Sequence, residues 1–302
     1  MGAAKSIGQE ARSGTIEIKT QSIPRISLSD QHHCQRILRE NKPVILENAM
    51  ASWSALGTWT PEYFAETLPD YEILLYEFTR RDVLPSTFAD FTQYLRTGER
   101  IGDLSGTRDP LYLAWDARVL SASSILRDGF DFRPLFGKNK GITQTAFWMG
   151  GVDSHTPLHR DIDAQNLHAV VYGQKKILLF SPQDSAFLDP SDIYEWTTTF
   201  SSIDFRNPDV VRHPLLLQAT GYEAILGPGD MVYIPMGWWH TVTCLEPTIS
   251  VNGWRFRPNL LWSLNIYRDL LRRALHHLGL YRRGRCTCHG HGDLRKHLGW
   301  DP

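Results

Sequence analysis

Across residues 141–256 the chain is written as short apolar runs cut by turn residues, and nothing else in it constrains the fold as tightly. The runs ITQTAFWMG, LHAVVYG, KKILLFSP, YEAILGPGDMVYIPMG, HTVTCL and TISVNGWRF read as successive strands, each bounded by Gly, Pro, Asp or Ser. Five or more short strands at this spacing predict a sandwich or a barrel. Residues 181–219 break the pattern with a long irregular stretch, of the kind usually kept for function.

The flanks read differently. SLSDQHHCQRILRENK is a capped helix, PVILENA a strand after Pro43, and WTPEYFAETLPD a helix opened by Thr60 with Pro61 at its first position. YEILLYEF is strand-like, FADFTQYLRTGE helical and PLYLAWD again a strand. After Pro258, Leu260, Leu264, Tyr267, Leu271, Leu275 and Leu278 recur at helical spacing, a stripe wide enough to need burial on the barrel or on a second subunit. The chain thus divides into a polar lead-in (1–22), a main domain (23–258) and a basic helix with its tail (259–302).

Charge narrows the functional classes. Lys+Arg 32 against Asp+Glu 33 leaves a net −1, which excludes a whole-protein electrostatic grip on nucleic acid. From Arg255 onward, however, ten Lys or Arg face three acids, so the basic tail keeps RNA, an acidic partner or a membrane surface open as local contacts. No apolar run is long enough for a transmembrane helix, no secretory signal is legible, and four scattered cysteines make no disulfide framework, which together predict an intracellular protein, cytoplasmic or nuclear. Met1-Gly2-Ala3-Ala4-Lys5-Ser6 matches the N-myristoylation pattern at Gly2, a short motif that recurs by chance. Cys286-Thr-Cys288-His289-Gly-His291 gathers soft ligands, but its spacing fits no zinc finger, and a simple tail is the plainer reading.

The chemistry lies in His155-Thr-Pro-Leu-His159-Arg-Asp161. In an extended chain residues two apart face the same side, so His159 and Asp161 present an imidazole and a carboxylate to one point. His240, following GPGDMVYIPMGWW, is a candidate third ligand. Two imidazoles and one carboxylate on one face of a metal form the facial triad of non-heme Fe(II) oxygenases, which leaves positions open for cosubstrate and O2. Lys175 and Lys176 stand in the apolar run VVYGQKKILLF, where a buried ammonium needs an anion. Alternation lets only one of them face a given cavity.

TPLHRD, Asn166, GQKK, PQD, GDMVYIPMGWWH and SVNGW, in this order and with KPVILENA and WTPEYF upstream, resemble the JmjC-domain 2-oxoglutarate oxygenases, and most closely compact hydroxylases such as the factor inhibiting hypoxia-inducible factor. The resemblance spans about residues 43–256. It implies a mainly β fold, a double-stranded β-helix (jelly-roll or cupin) barrel with flanking N- and C-terminal helices. It implies His159, Asp161 and His240 as catalytic iron ligands and Lys175 as the partner of the distal carboxylate of 2-oxoglutarate. Thr156 and Tyr112 would give hydroxyls to the same carboxylate, and Asn166 and Asn252 would lie near the cosubstrate, with Trp254 at the pocket wall. The stretch from Asp161 to Asn166 is one residue longer than in the compared hydroxylase, so Gln165 competes with Asn166. Phe147, Trp148, Trp238 and Trp239 could shield the metal or simply fill the core.

The activity so implied is an Fe(II)- and 2-oxoglutarate-dependent oxygenase that hydroxylates a protein side chain and releases succinate and CO2. The alternatives are a histone lysine demethylase, a tRNA or small-molecule hydroxylase, or a non-catalytic cupin-like binding module. Carboxy-terminal helices support dimers in related hydroxylases, which adds a homodimer to the expectations.

Overall fold

A computed structural model of the protein describes residues 18–28, 31–78, 82–99, 110–136, 144–256 and 260–286. The amino-terminal strands are β1 (Thr20–Ser22), β2 (Arg25–Ser27), β3 (Val44–Glu47), β4 (Glu72–Glu77), β5 (Asp82–Thr87) and β6 (Tyr112–Asp116). The central run holds β7 (Gln144–Gly150), β8 (His155–Asp161), β9 (Ala164–Tyr172), β10 (Lys175–Phe180) and β11 (Thr198–Phe200). It closes with β12 (Gly221–Leu226), β13 (Met231–Ile234), β14 (Trp239–Cys244) and β15 (Thr248–Phe256). Helices α1 (Gln31–Arg39), α2 (Pro61–Thr67), α3 (Phe88–Thr97), α4 (Ser124–Asp128) and α5 (Arg133–Phe136) precede β7, and α6 (Leu260–His277) follows β15.

The strands form two sheets, ordered β1-β12-β10-β14-β8-β11 and β2-β3-β13-β9-β15-β7-β6-β4-β5. Neighbours distant in sequence, such as β8 beside β14 and β9 between β13 and β15, give the jelly roll its crossed connections. Period-two alternation then sorts side chains into layers. Ile45, Val170 and Val232 of the larger sheet meet Ile177, Leu179 and Val242 of the smaller one in an inter-sheet core. The opposite face of the larger sheet carries Leu167, Ala169, Phe147 and Val251, which pack under Phe64, Phe88, Trp59 and α1. Thr60 accepts a hydrogen bond from Tyr63 N at 3.1 Å and caps α2, as its place before Pro61 predicts.

Residues 181–219 are less irregular than their sequence suggests. Leu188, Ile203 and Leu216 cover Leu158, Phe180 and Trp239 on the outer face of the smaller sheet, and β11 pairs with β8 so that Thr198 lies opposite Asp161. Within the stretch read as a lead-in, Thr20–Ser22 is already a strand, paired in parallel with β12. Gly2 and residues 287–291 of the Cys/His cluster lie outside the described residues.

The carboxy-terminal helix does not lay most of its apolar stripe on the barrel, which leaves a second subunit as the other expected cover. Of the predicted stripe, Tyr267 is 70% and Leu271 62% exposed, and Leu264 and Leu278 are exposed too, while Leu275 is half-buried. The face that packs is polar. Asp269 is buried and accepts from Thr197 N at 3.0 Å, His276 is buried with Nδ1 2.7 Å from Tyr281 O, and Arg273 stacks 4.1 Å over Trp196. These specific partners, invisible to a periodicity argument, hold the helix. Among the described residues no helix is long and apolar enough to cross a membrane.

Candidate metal centre

In the smaller sheet β8 and β14 run antiparallel with His240 directly opposite His159. Their rings sit 4.1 Å apart between centroids, and Asp161 lies two residues on along β8. One ligand atom from each of the three lies within 4.8 Å of the others. Each imidazole is oriented in the same way: His159 Nδ1 donates to Pro157 O at 2.8 Å and His240 Nδ1 to Trp238 O at 3.2 Å, so both Nε2 lone pairs stay free. Trp254 Nε1 donates to Asp161 Oδ2 at 3.2 Å and steadies the carboxylate. Burial, and secondarily the neighbouring His159, bring the pKa of His240 down to about 4 against the opposing pull of Asp161, which keeps the ring in its neutral, ligating form. Two imidazoles and a carboxylate on one side of a point fit a divalent iron and leave its remaining positions open.

A β-bulge decides what shares this face. His240 pairs with His159 but Val242 pairs with Thr156, so three residues of β8 answer two of β14. Simple alternation would align His155 and Pro157 with the ligands; the bulge brings Thr156 to the inner face instead. Thr156 Oγ1 accepts from Val242 N at 3.2 Å, leaving its own proton to donate.

Beneath the triad lies Lys175, 0% exposed. Gly173 and Gln174 link β9 to β10 in the other sheet, where pairing with β12 and β14 sets the register of Lys175, and Gly173 takes φ +72° where a Cβ would strike Pro247 O. Lys175 Nζ donates to Tyr112 OH at 2.9 Å and to Ser250 Oγ at 2.6 Å. No carboxylate among the described residues lies within ion-pair reach of it, and burial lowers its pKa from 10.5 to about 8. Lys176, one residue on, points outward and pairs with Glu223 at 2.9 Å, which answers the alternation left open by the sequence. Tyr112 comes close because Gly150 lacks a side chain: a Cβ there would lie 2.6 Å from the Tyr112 ring.

On β9 and β15 the inward residues form a second wall. Asn252 Nδ2 is 2.7 Å from Asn166 Oδ1, and His168 Nδ1 is 2.6 Å from Asn252 Oδ1. Gln165 faces away, donating to Tyr233 OH at 2.6 Å, so Asn166 is the one of the two that faces inward. Of the four suggested shielding aromatics, Phe147 belongs to the layer under the amino-terminal helices and Trp239 to the outer face of the smaller sheet. Trp238 is inter-sheet core, while Trp148 packs with Tyr112 at the lysine end. Sequence reasoning missed Ser250 and His168. Alternation carried inward from Asn252 and Asn166 reaches both.

A family model described as "Cupin-like domain" matches residues 30–259, most of the chain. The chain belongs to the cupin-like family. Within it the chain is similar to JmjC-domain proteins: it is 28% identical to JmjC domain-containing protein A of Dictyostelium discoideum over 228 residues, 72% of this chain and 88% of that protein. It is 28% identical to the human bifunctional peptidase and (3S)-lysyl hydroxylase JMJD7 over 251 residues, 71% and 77% of the two chains. To bovine HSPB1-associated protein 1 it is 28% identical over 243 residues, 70% of this chain but 48% of that protein. The cupin-like chain thus spans about half the length of this last relative, and His159, Asp161 and His240 are the group in its JmjC-type barrel that could hold a metal ion.

Proposed function

We propose that the protein is an Fe(II)- and 2-oxoglutarate-dependent oxygenase that hydroxylates a protein side chain. The observation that carries this reading is Lys175: a fully buried ammonium with no anionic partner among the described residues, set deep in the same barrel whose mouth holds the triad. A buried cation without a counter-charge costs several kcal/mol, on the order that a bound carboxylate would offset. A binding module has no need of this lysine and the triad together.

His159 Nε2, His240 Nε2 and the carboxylate of Asp161 would hold iron, with Trp254 leaving Asp161 Oδ1 free for it. Iron held there would supply the site at which O2 is activated; 2-oxoglutarate, becoming succinate and CO2, would give two of the four electrons and the substrate C–H bond the other two. Lys175 would neutralise the distal carboxylate, and the Tyr112 and Thr156 hydroxyls would orient it. Asn166 and Asn252 would face the metal-proximal part of the cosubstrate. The inter-sheet core closes the lysine end to water, so the reaction faces outward at the triad, where β11 runs beside Asp161.

A protein as substrate is supported by the relative named as a lysyl hydroxylase and by the one named for association with HSPB1. The test is to supply the protein with Fe(II), 2-oxoglutarate, O2 and candidate proteins, and to follow succinate together with substrate mass. Gain of one oxygen atom supports hydroxylation. Loss of a methyl group would assign demethylation instead, and absence of succinate with every candidate would favour the binding module.

A further inference from the structure

His168 is the one inward polar residue of β9 and β15 with a buried atom left over. It lies on β9 opposite Asn252 and is 4% exposed, and its Nε2 has no hydrogen-bond partner among the described residues. A polar atom sealed from water without a partner is destabilising. Its level in the barrel is informative. On β15 the inward residues run Ser250, Asn252, Trp254, from the one bonded to Lys175 to the one bonded to Asp161. His168 pairs with the middle member and therefore stands between the lysine and the metal triad.

Burial, then the charge of Lys175, hold the His168 imidazole well below its ordinary pKa, so the ring is neutral and carries one proton. With that proton on Nδ1, the hydrogen bonds run from His168 to Asn252 Oδ1 and from Asn252 Nδ2 to Asn166 Oδ1. The same contacts serve the opposite direction. If both amides turn over and the imidazole proton moves to Nε2, Asn166 donates to Asn252, and Asn252 donates to His168 Nδ1. No heavy atom is displaced beyond the exchange of amide N and O, no charge is created, and the proton count is unchanged. The second arrangement places an N–H on Nε2, at the level between the triad and Lys175.

We infer that His168 is a positioning residue of the cosubstrate pocket, a polarity switch whose Nε2 turns from acceptor to donor when an anionic cosubstrate occupies the span between the triad and Lys175. A 2-oxo dicarboxylate offers only acceptors, so the arrangement with Nε2 empty opposes it and the reversed one receives it. The same reversal turns the amide ends of Asn252 and Asn166, so one ring proton sets the polarity of that whole wall. This inference rests on the oxygenase reading above.

The test uses the full chain loaded with Zn(II), a closed-shell stand-in for iron, with 2-oxoglutarate added. Long-range proton–nitrogen NMR of histidine, with the His168 signal identified by its loss in His168→Gln, reads which ring nitrogen is protonated. Calorimetry reads the cosubstrate affinity. The expected result is a proton on Nδ1 without 2-oxoglutarate and on Nε2 with it. Affinity should fall about 10- to 100-fold in His168→Phe, which keeps a ring but offers no donor. It should be largely kept in His168→Gln, whose terminal amide reaches the position of Nε2. Should His168→Phe fail to fold, the tautomer and His168→Gln still decide. If wild type binds 2-oxoglutarate with the proton remaining on Nδ1, or His168→Phe binds as wild type does, the switch is wrong and the oxygenase reading stands. If wild type binds no 2-oxoglutarate, both fall.

Discussion

Trp254 Nε1 and Asp161 Oδ2 are 3.2 Å apart, so the carboxylate of the triad is held by an indole from the facing sheet. One oxygen is thereby occupied and the other directed inward. Replacing Trp254 by Phe keeps most of the ring volume and removes only the donor. Iron affinity, followed by competition with a chelator, should fall about 10-fold or more, as expected for loss of a partner that orients a ligand. Unchanged affinity would mean that the contact orients nothing.

Lys175 gives the pocket a pH dependence. Its ammonium pairs with a carboxylate only while protonated, and its pKa in the folded protein is about 8. Affinity for 2-oxoglutarate should hold below that pH and weaken as pH rises through it, whereas Lys175→Ala should bind at least about 10-fold more weakly with no such step. Stability of the apo-protein moves the other way. Between about 8 and the ordinary 10.5 the unfolded chain holds the proton that the folded chain has lost, so this group makes the fold more stable as pH rises across that window. Chemical denaturation of wild type and Lys175→Met at several pH values checks the sign.

Phe147 separates core from site. It packs with Phe64, Phe88 and Trp59 on the outer layer, and Phe147→Ala should cost about 3–5 kcal/mol in denaturant unfolding. Affinity for metal and 2-oxoglutarate, measured on the remaining folded protein, should be unchanged. A selective loss of metal affinity would return Phe147 to the pocket.

The fold was legible wherever a local rule governs it. Strand runs between turns and the Thr60–Pro61 helix start depend on residues close in sequence, whereas Lys175 is preferred to Lys176 only through the family resemblance. The ligand pair His159 and Asp161 followed from alternation within one strand. What local reading could not supply were relations across strands. The bulge that aligns Thr156 with His159 exists only in the pairing of β8 with β14. The choice between Gln165 and Asn166, opened by a one-residue difference in length from the compared hydroxylase, is decided by the register of β9 against β13 and β15. The three-residue β11 is visible only as a partner of β8. Helix α6 itself was legible, but which of its sides docks on this chain was not, for a related reason: Asp269 and His276 dock through single polar contacts that a count of leucines does not weigh.

The central claim, that His159, Asp161 and His240 hold iron in a site that also admits a 2-oxo acid, is met most directly by anaerobic titration of the metal-free protein. Fe(II) and 2-oxoglutarate are added together and the visible metal-to-ligand charge-transfer band is followed in wild type and His240→Ala. The account predicts a band in wild type that saturates at one iron per chain and is absent from a folded His240→Ala. Folded wild type without the band, or an equal band in the variant, would contradict it.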